Sequence, residues 1–490
     1  MSDLKLFVEN IASADPKAYG VYPDSINTYN DGNAYAFMAE VDGVTKLIAT
    51  CPCLGVKGER KDGYILCDLT HENAIALRNQ FPFTAPRPVL REERSFGVGD
   101  RLGIACPGHI KVFEKYDAMP VFAQQSIREL DLTNRTYEDV LDCVTFAVFR
   151  DGFKRGFGAD GDHLKRAQDV EYALGLGFSM ITLDCSEHIV GGVDEMSEEK
   201  INAAYKADKT IEELYLGKKF DIGEGIELEF TMDELKKIVI IYGKAIDFAV
   251  EIYTKYFADG KFKADFEVSI DETATPTTPL QHFFVANELT RRGVKPATVA
   301  PRFCGEFQKG IDYIGDIAQF EKEMTVHSAI ARFFGYKISV HSGSDKFSVF
   351  PIVGEKNRQV YHVKTAGTNW LEAMRVVAKV DPTLYRAIHK YALTAFDEAT
   401  KYYHVTTDLT KIADVDTLTD EQLPELFNQN DARQLIHITY GLILNLKNED
   451  GSFTFKDKLY KLWKDYEGEY SAALVNHIGR HLELLGCPKL

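Results

Sequence analysis

Eight short apolar segments, each closing on polar or charged residues, set the rhythm of this chain between Arg101 and Gly367. They are RLGIACPGH, MPVFAQQS, TFAVFRDG, FSMITLDCSE, ADFEVSIDE, ATVAPRF, YKISVHSGS and QVYHVKTAG. Buried strands that alternate with helical text build a parallel sheet, and eight of them fit a closed (β/α)8 barrel of the α/β class. In such a barrel the reactive end lies at the carboxyl ends of the strands. The spacing predicts a small N-terminal α/β cap over residues 1–95, a barrel over 96–380 and a helical C-terminal region over 381–490. An oversized insert near 193–260 interrupts the barrel with acidic helical text and the periodic TMDELKKIVIIYGKAIDFAVEIYTKYF.

The cap rests on AYAFMAEVDGVTKLIATC, which alternates around Asp42-Gly43 as a tight hairpin does. YILCDL reads as a further strand and HENAIALRNQF as an amphipathic helix, after which Pro82, Pro86 and Pro88 mark a linker. Composition narrows the function. Of 490 residues, 74 are acidic and 57 basic, so the net charge of −17 argues against a nucleic-acid partner. No apolar run reaches the roughly 20 residues that span a bilayer, and the first residues carry no secretory pattern. The expectation is a cytoplasmic protein with no membrane partner. Its eight cysteines (Cys51, Cys53, Cys67, Cys106, Cys143, Cys185, Cys304 and Cys487) are then expected as thiols.

The polar residues at the strand ends carry the chemistry. Asp162 and His163 stand ahead of LKRAQDVEYALGLG, where a strand-to-helix loop would become a helix. A neutral imidazole binds divalent metals and an adjoining carboxylate moves protons; the plainer alternative is an Asp cap followed by a surface His. His341 ends YKISV and precedes Ser342-Gly343-Ser344-Asp345-Lys346, a small-residue loop whose N–H groups suit an anion. A plain surface turn is the alternative there. Strand alternation puts Glu267, Ser269 and Asp271 on one face of FEVSIDE, with Glu267 pointing into the barrel. PRFCGEFQKGID supplies Arg302, Glu306, Gln308 and Lys309, of which the cations suit an anionic substrate. Gln124, Asp184 and Lys364 close other strands. The candidate set is thus Asp162 and Glu267 for proton transfer, with His163, His341 and Glu306 for a metal. Gln308, Glu272 and His362 are the alternatives for the third ligand. Gln124, Asp184, Arg302, Gln308, Lys309, Ser342, Asp345, Lys346 and Lys364 are assigned to substrate. Imidazole and carboxylate donors suit Zn, Mn, Ni, Fe or Co.

Other motifs fail. GVGDRLG has the wrong final spacing for a dinucleotide fingerprint and is expected to precede a strand. Cys51-Pro52-Cys53 lacks a second pair at zinc-finger spacing, and no GxSxG elbow is present.

GFGADGDHLKRAQDVEYALGLGFSMITLDCSE resembles the Asp-His segment of class II metal-dependent aldolases, and VHSGSDKFSVFP is similar to their His-Gly-rich loop. The loop near Arg302 departs from them, since it lacks their His-Gly ligand. Over nearly its full length the chain more closely resembles the tagaturonate/fructuronate epimerase family. That likeness runs through the cap, the Asp-His segment, PRFCGEFQKGIDY, HSGSDKFSVFP and the helical tail. It implies a divalent-metal enzyme of hexuronate catabolism that interconverts D-tagaturonate and D-fructuronate, with weak 4-epimerisation of tagatose and fructose. The chemistry is consistent with aldolase-like parts. The two acids differ at a carbon β to the ketone, whose C–H the carbonyl does not acidify, so inversion calls for breaking the α–β carbon bond. An aldolase that releases its fragments, and a sugar-acid-binding barrel without catalysis, are the competing readings.

Overall fold

The computed structural model describes residues 4–490. Eight parallel strands close into a barrel: Arg94–Val98, Met119–Ser126, Gly158–Leu164, Met180–Asp184, Asp265–Ile270, Thr298–Pro301, Lys337–Val340 and Tyr361–Thr365. The ring closes where the eighth strand pairs in parallel with the first, Tyr361 opposite Arg94 through Thr365 opposite Val98. The expected (β/α)8 architecture is therefore present.

Two of the eight predicted strand segments are not strands. RLGIACPGH is a loop running into the helix Cys106–Phe113, with Pro107 in its first turn, where a missing N–H costs nothing. The first strand is instead RSFGV, five residues with Gly97 inside it. TFAVFRDG lies in the helix Tyr137–Arg150, which opens on a Thr136/Asp139 capping box. Its buried Tyr137, Val140, Leu141, Val144 and Val148 repeat at helical spacing. The third strand is GADGDHL, so Asp162 and His163 stand on a strand and the next helix starts only at Ala167. GVGDRLG consequently begins inside the first strand and runs on after it, rather than preceding a strand.

Before the barrel, five short strands form an antiparallel sheet with a two-residue turn at Asp42 (φ 50°) and Gly43 (φ 76°). Both turn residues are left-handed, as the twist of a tight hairpin requires. The sheet meets the barrel through Phe81 and the helix residues Phe146 and Phe149. Cys51 and Cys53 are joined as a disulfide, which corrects the expectation of eight thiols; their Cα atoms lie 5.3 Å apart, within reach of a bridge. The other six cysteines are free.

The insert contains helices Glu198–Ala204 and Lys209–Tyr215 and an antiparallel hairpin, Lys219–Asp221 with Glu227–Glu229. The 25-residue helix Met232–Tyr256 then returns to the barrel wall. After the eighth strand the chain is helical, with its own core around Trp370, Trp463, Tyr440 and Leu435. The helix Glu467–Leu484 lies against Cys106–Phe113 so closely that a Cβ on Gly108 would sit 2.7 Å from Leu474 Cδ1. No helix among the described residues is long and apolar enough to cross a membrane.

Two helical glycines, one closely approached by backbone and one in open space, test this packing. Gly354 lies in the helix Phe350–Lys356, and a Cβ there would sit 2.0 Å from the carbonyl oxygen of Leu485. Gly354→Ala should cost about 1–3 kcal/mol by overpacking. Gly243, mid-helix with nothing within 4 Å of a built Cβ, should gain roughly 0.5–1 kcal/mol as Ala. Calorimetric melting of both variants checks the opposite signs.

Candidate active site

The carboxyl ends of the strands open into a cavity of about 400 Å³ lined by residues of the strands, their following loops and the tail segment Tyr402, Tyr403 and His404. A bulge in the third strand shapes its floor. Neighbouring strand residues normally point to opposite faces, yet Asp162 and His163 both line the cavity. The register against the fourth strand shifts between Gly161 and Leu164, and His163 adopts φ 55°. Bulges beside active sites re-aim side chains in this way.

Each histidine is held through one ring nitrogen and presents the other. His163 Nδ1 is 2.7 Å from Asp162 Oδ1, which leaves Nε2 facing Asp271 Oδ1 at 4.0 Å. His341 Nε2 is 2.7 Å from Glu267 Oε1, which leaves Nδ1 3.2 Å from Asp271 Oδ2. The two rings lie 4.8 Å apart. One ligand atom from each of His163, Asp271 and His341 falls within 4.8 Å of the others. A carboxylate that orients a histidine by its far nitrogen is the usual support of a metal ligand.

Beneath this trio Lys364 reaches across the barrel. Its ammonium lies 2.6 Å from Asp160 Oδ2, 2.5 Å from Asp162 Oδ1 and 3.5 Å from Glu267 Oε1, and donates to Thr182 Oγ1 at 2.6 Å. Thr298 Oγ1 donates to Glu267 Oε2 at 2.6 Å. Burial works against every charge here, and the partners decide the outcome. Burial pushes Asp160 up to about 6 in spite of Lys364. Although burial opposes it, Lys364 with His163 holds Asp162 well below the carboxylate range, and Lys364 with His341 does the same for Glu267. Asp271 and Glu267 overcome burial to push His341 up to about 10.

Of the residues expected at the site, Gln124, Asp162, His163, Arg302, Glu306, Gln308, Lys309, His341, Ser342 and Lys364 line the cavity. Lys309 Nζ donates to Ser342 Oγ at 3.1 Å. Others are corrected. Glu267 is fully buried behind His341 and both its oxygens are engaged, so it orients a histidine instead of meeting substrate. Asp184 turns away to accept from the Ser186 N–H. Asp345 is buried against Arg433 and His477. Lys346 gives its ammonium to the carbonyls of Gln308, Ile311 and Ser344. The four candidates for a third ligand all lie outside the group formed by His163, Asp271 and His341. Glu306 stands half-exposed beside His404. Gln308 Oε1 accepts from Thr406 and Gln434. Glu272 faces Arg128 and Lys165 at the rim. His362 lies inside the barrel, bonded through Nδ1 to Ser95 Oγ. Asp271 is the carboxylate that stands beside the two histidines; strand alternation had put it on the face of Glu267, four residues on. Arg128, Glu129, Tyr402, Tyr403 and His404 were not foreseen, because only the folded tail brings the last three to the mouth.

A cavity at the carboxyl ends of the strands of a parallel barrel is where enzymes of this architecture bind their substrates. The chain belongs to the tagaturonate epimerase family, whose model matches residues 29–485. The tagaturonate/fructuronate epimerase of Thermotoga maritima is 41% identical over 495 residues, covering 98% of this chain and 99% of the relative. A glycerol-complexed crystal structure of the fructuronate-tagaturonate epimerase of Cohnella laeviribosi superposes with a TM-score of 0.94 at 47% identity over the whole of both chains. The native crystal structure of that enzyme gives 0.93 over 99% of each. The protein is an epimerase.

The buried charges also make a stability prediction. Lys364→Met leaves Asp160, Asp162 and Glu267 without their shared ammonium and should cost about 3–5 kcal/mol. Urea titration of the variant against the parent measures it, and the loss should shrink as the pH falls and Asp160 takes up a proton.

Proposed function

We propose that this chain interconverts D-tagaturonate and D-fructuronate, the pair named for its Thermotoga and Cohnella relatives, and that a divalent cation assists at His163, Asp271 and His341. The observation that carries the second part is the shared orientation of the histidines, each anchored by a carboxylate and turned toward Asp271. Charge supports the fit. With both imidazoles neutral, as ligation of a cation would require, Asp160, Asp162 and Glu267 face the single ammonium of Lys364 and Asp271 adds a fourth carboxylate beside His341, an excess of negative charge that buried groups tolerate poorly. His341 Nδ1 is buried 3.2 Å from Asp271 Oδ2 without a well-directed hydrogen bond to it. An ion of the Zn, Mn, Ni, Fe or Co type would supply positive charge against an oxyanion developing on the substrate.

The chain's own residues do the rest. Asp162 meets Lys364 and His163 through Oδ1, which leaves Oδ2 for proton exchange at the cavity. In the proposed inversion Asp162 takes the proton of the β-hydroxyl. The electron pair of the α–β carbon bond passes to the ketone oxygen, giving an enediolate and an aldehyde. The aldehyde presents its other face, the bond re-forms and the proton returns to the new hydroxyl. Glu267 serves by holding His341 in place, and Asp162 carries the proton in both directions. Lys309 has no ion-pair partner among the described residues and faces the cavity beside Ser342. Burial lowers its affinity for a proton, and a uronate carboxylate offsets that cost.

His163→Ala, His341→Ala and Asp271→Asn should each lose bound divalent metal by plasma mass spectrometry, with the circular dichroism unchanged. Metal content equal to the parent in all three would discard the centre. Asp162→Asn should keep its metal and lose about 10²–10⁴-fold in turnover.

Heavy water tests the bond that breaks. The inverted carbon should retain its original hydrogen, because no C–H bond there is cleaved. Deuterium on that carbon would exclude carbon–carbon cleavage, and a steadily accumulating aldehyde fragment would identify a lyase instead.

A further inference from the structure

We propose that Arg433, on the C-terminal helix Asn430–Ile438, is the positioning residue for the carboxylate end of the cavity, setting Lys309 against Ser342. The inference rests on the reading above that Lys309 meets the substrate carboxylate.

One buried guanidinium ties together two loops that come from different strands. Arg433 Nε donates to the carbonyl of Gly310 at 2.7 Å, Nη2 to Asp345 Oδ2 at 2.7 Å and Nη1 to the carbonyl of Phe427 at 2.6 Å. Gly310 directly follows Lys309, and Asp345 stands three residues after Ser342. A planar fork with fixed donor directions sets the spacing of its acceptors more tightly than a flexible ammonium does. The rest of the helix acts on the same loops. Gln434 Nε2 donates to the carbonyl of Lys309 at 3.2 Å, and His437 packs so closely that a Cβ on Gly310 would lie 2.9 Å from its Nδ1.

The loop after the seventh strand needs such a hold. Ser342 (φ 48°) and Asp345 (φ 62°) are both left-handed without being glycine, a conformation that persists only where the surroundings impose it. Asp345 is the point of attachment. Its Oδ1 lies 2.8 Å from His477 Nε2, and its N–H donates to His481 Nε2 at 2.9 Å. With the guanidinium on Oδ2 and the His481 lone pair engaged, this Asp–His–His group is a hub for the tail rather than a place for a cation. The metal-binding end is held differently, by Asp162 and Glu267 of the barrel strands. Arg433 thus acts on one end of the cavity only.

The test compares full-length, metal-loaded Arg433→Met, Lys309→Met and the double variant on tagaturonate and on tagatose, which lacks the carboxylate. Each single variant should raise KM for tagaturonate about tenfold or more, the loss expected for a charged hydrogen bond. Efficiency on tagatose should stay within about twofold, and the double variant should be no worse than Lys309→Met, since coupled residues are not additive. Metal content should not change. Arg433→Lys, which keeps the charge and loses the fork, should fall between parent and Arg433→Met, and it decides the matter if the Met variant does not fold. Equal losses on both sugars, or losses that multiply in the double variant, would overturn the role of Arg433 while leaving the carboxylate reading intact. An unchanged preference for the uronate in Lys309→Met would overturn the carboxylate reading, and the inference with it.

Discussion

The ammonium of Lys364 is the contact on which the rest of the site depends. It projects from the eighth strand into the barrel and meets Asp160 and Asp162 of the third strand, Thr182 of the fourth and Glu267 of the fifth. Barrel interiors are ordinarily filled by layers of branched apolar side chains. Here the upper layer is ionic, and each member is tolerable only because the others are present. The same network orients both histidines, since Asp162 and Glu267 are at once partners of Lys364 and anchors of His163 and His341. Stability and chemistry therefore share their residues, and a change at the centre disturbs both.

Strained backbone collects around this network. His163, Ser342 and Asp345 are left-handed residues within or just after their strands. Each is held by a charged or polar contact that the strain makes possible. His163 can pair with Asp162, its own neighbour in sequence, only because the bulge turns both toward the cavity. Local propensity and tertiary contacts disagree at these positions, which is where function most often resides.

Much of this was legible in the sequence, and the misses have physical causes. The barrel rhythm, the Asp42-Gly43 hairpin and the inward direction of Glu267 follow from periodicity, which depends on neighbours alone. TFAVFRDG misled because a short apolar run reads alike as a strand or as one face of a buried helix. GADGDHL was hidden for the opposite reason: a strand whose inward residues are acids does not look apolar. Lys346 and Asp345 were assigned to substrate from a loop that suggests an anion cradle, and their partners, the carbonyls of Gln308 and Ile311 and the side chain of Arg433, are distant in sequence. Glu306 and Gln308 lie on a loop whose course periodicity does not reveal, whereas Asp271, just past the fifth strand, is the acid that the fold sets beside both histidines.

The two ends of the cavity are built from different parts of the chain. His163, Asp271 and His341 converge at strand ends and are braced from inside the barrel. Lys309, Gln308 and Ser342 sit on loops braced from outside by the C-terminal helices. A barrel alone supplies the first end; it supplies the second only with its tail in place. In a chain with a net charge of −17, Arg128, Arg302 and Lys309 gather at this one mouth. These cations stand among Glu129, Glu272 and Glu306 at the same opening, so the charge there is mixed. The proposed uronate carboxylate would meet Lys309, which has no ion-pair partner among the described residues.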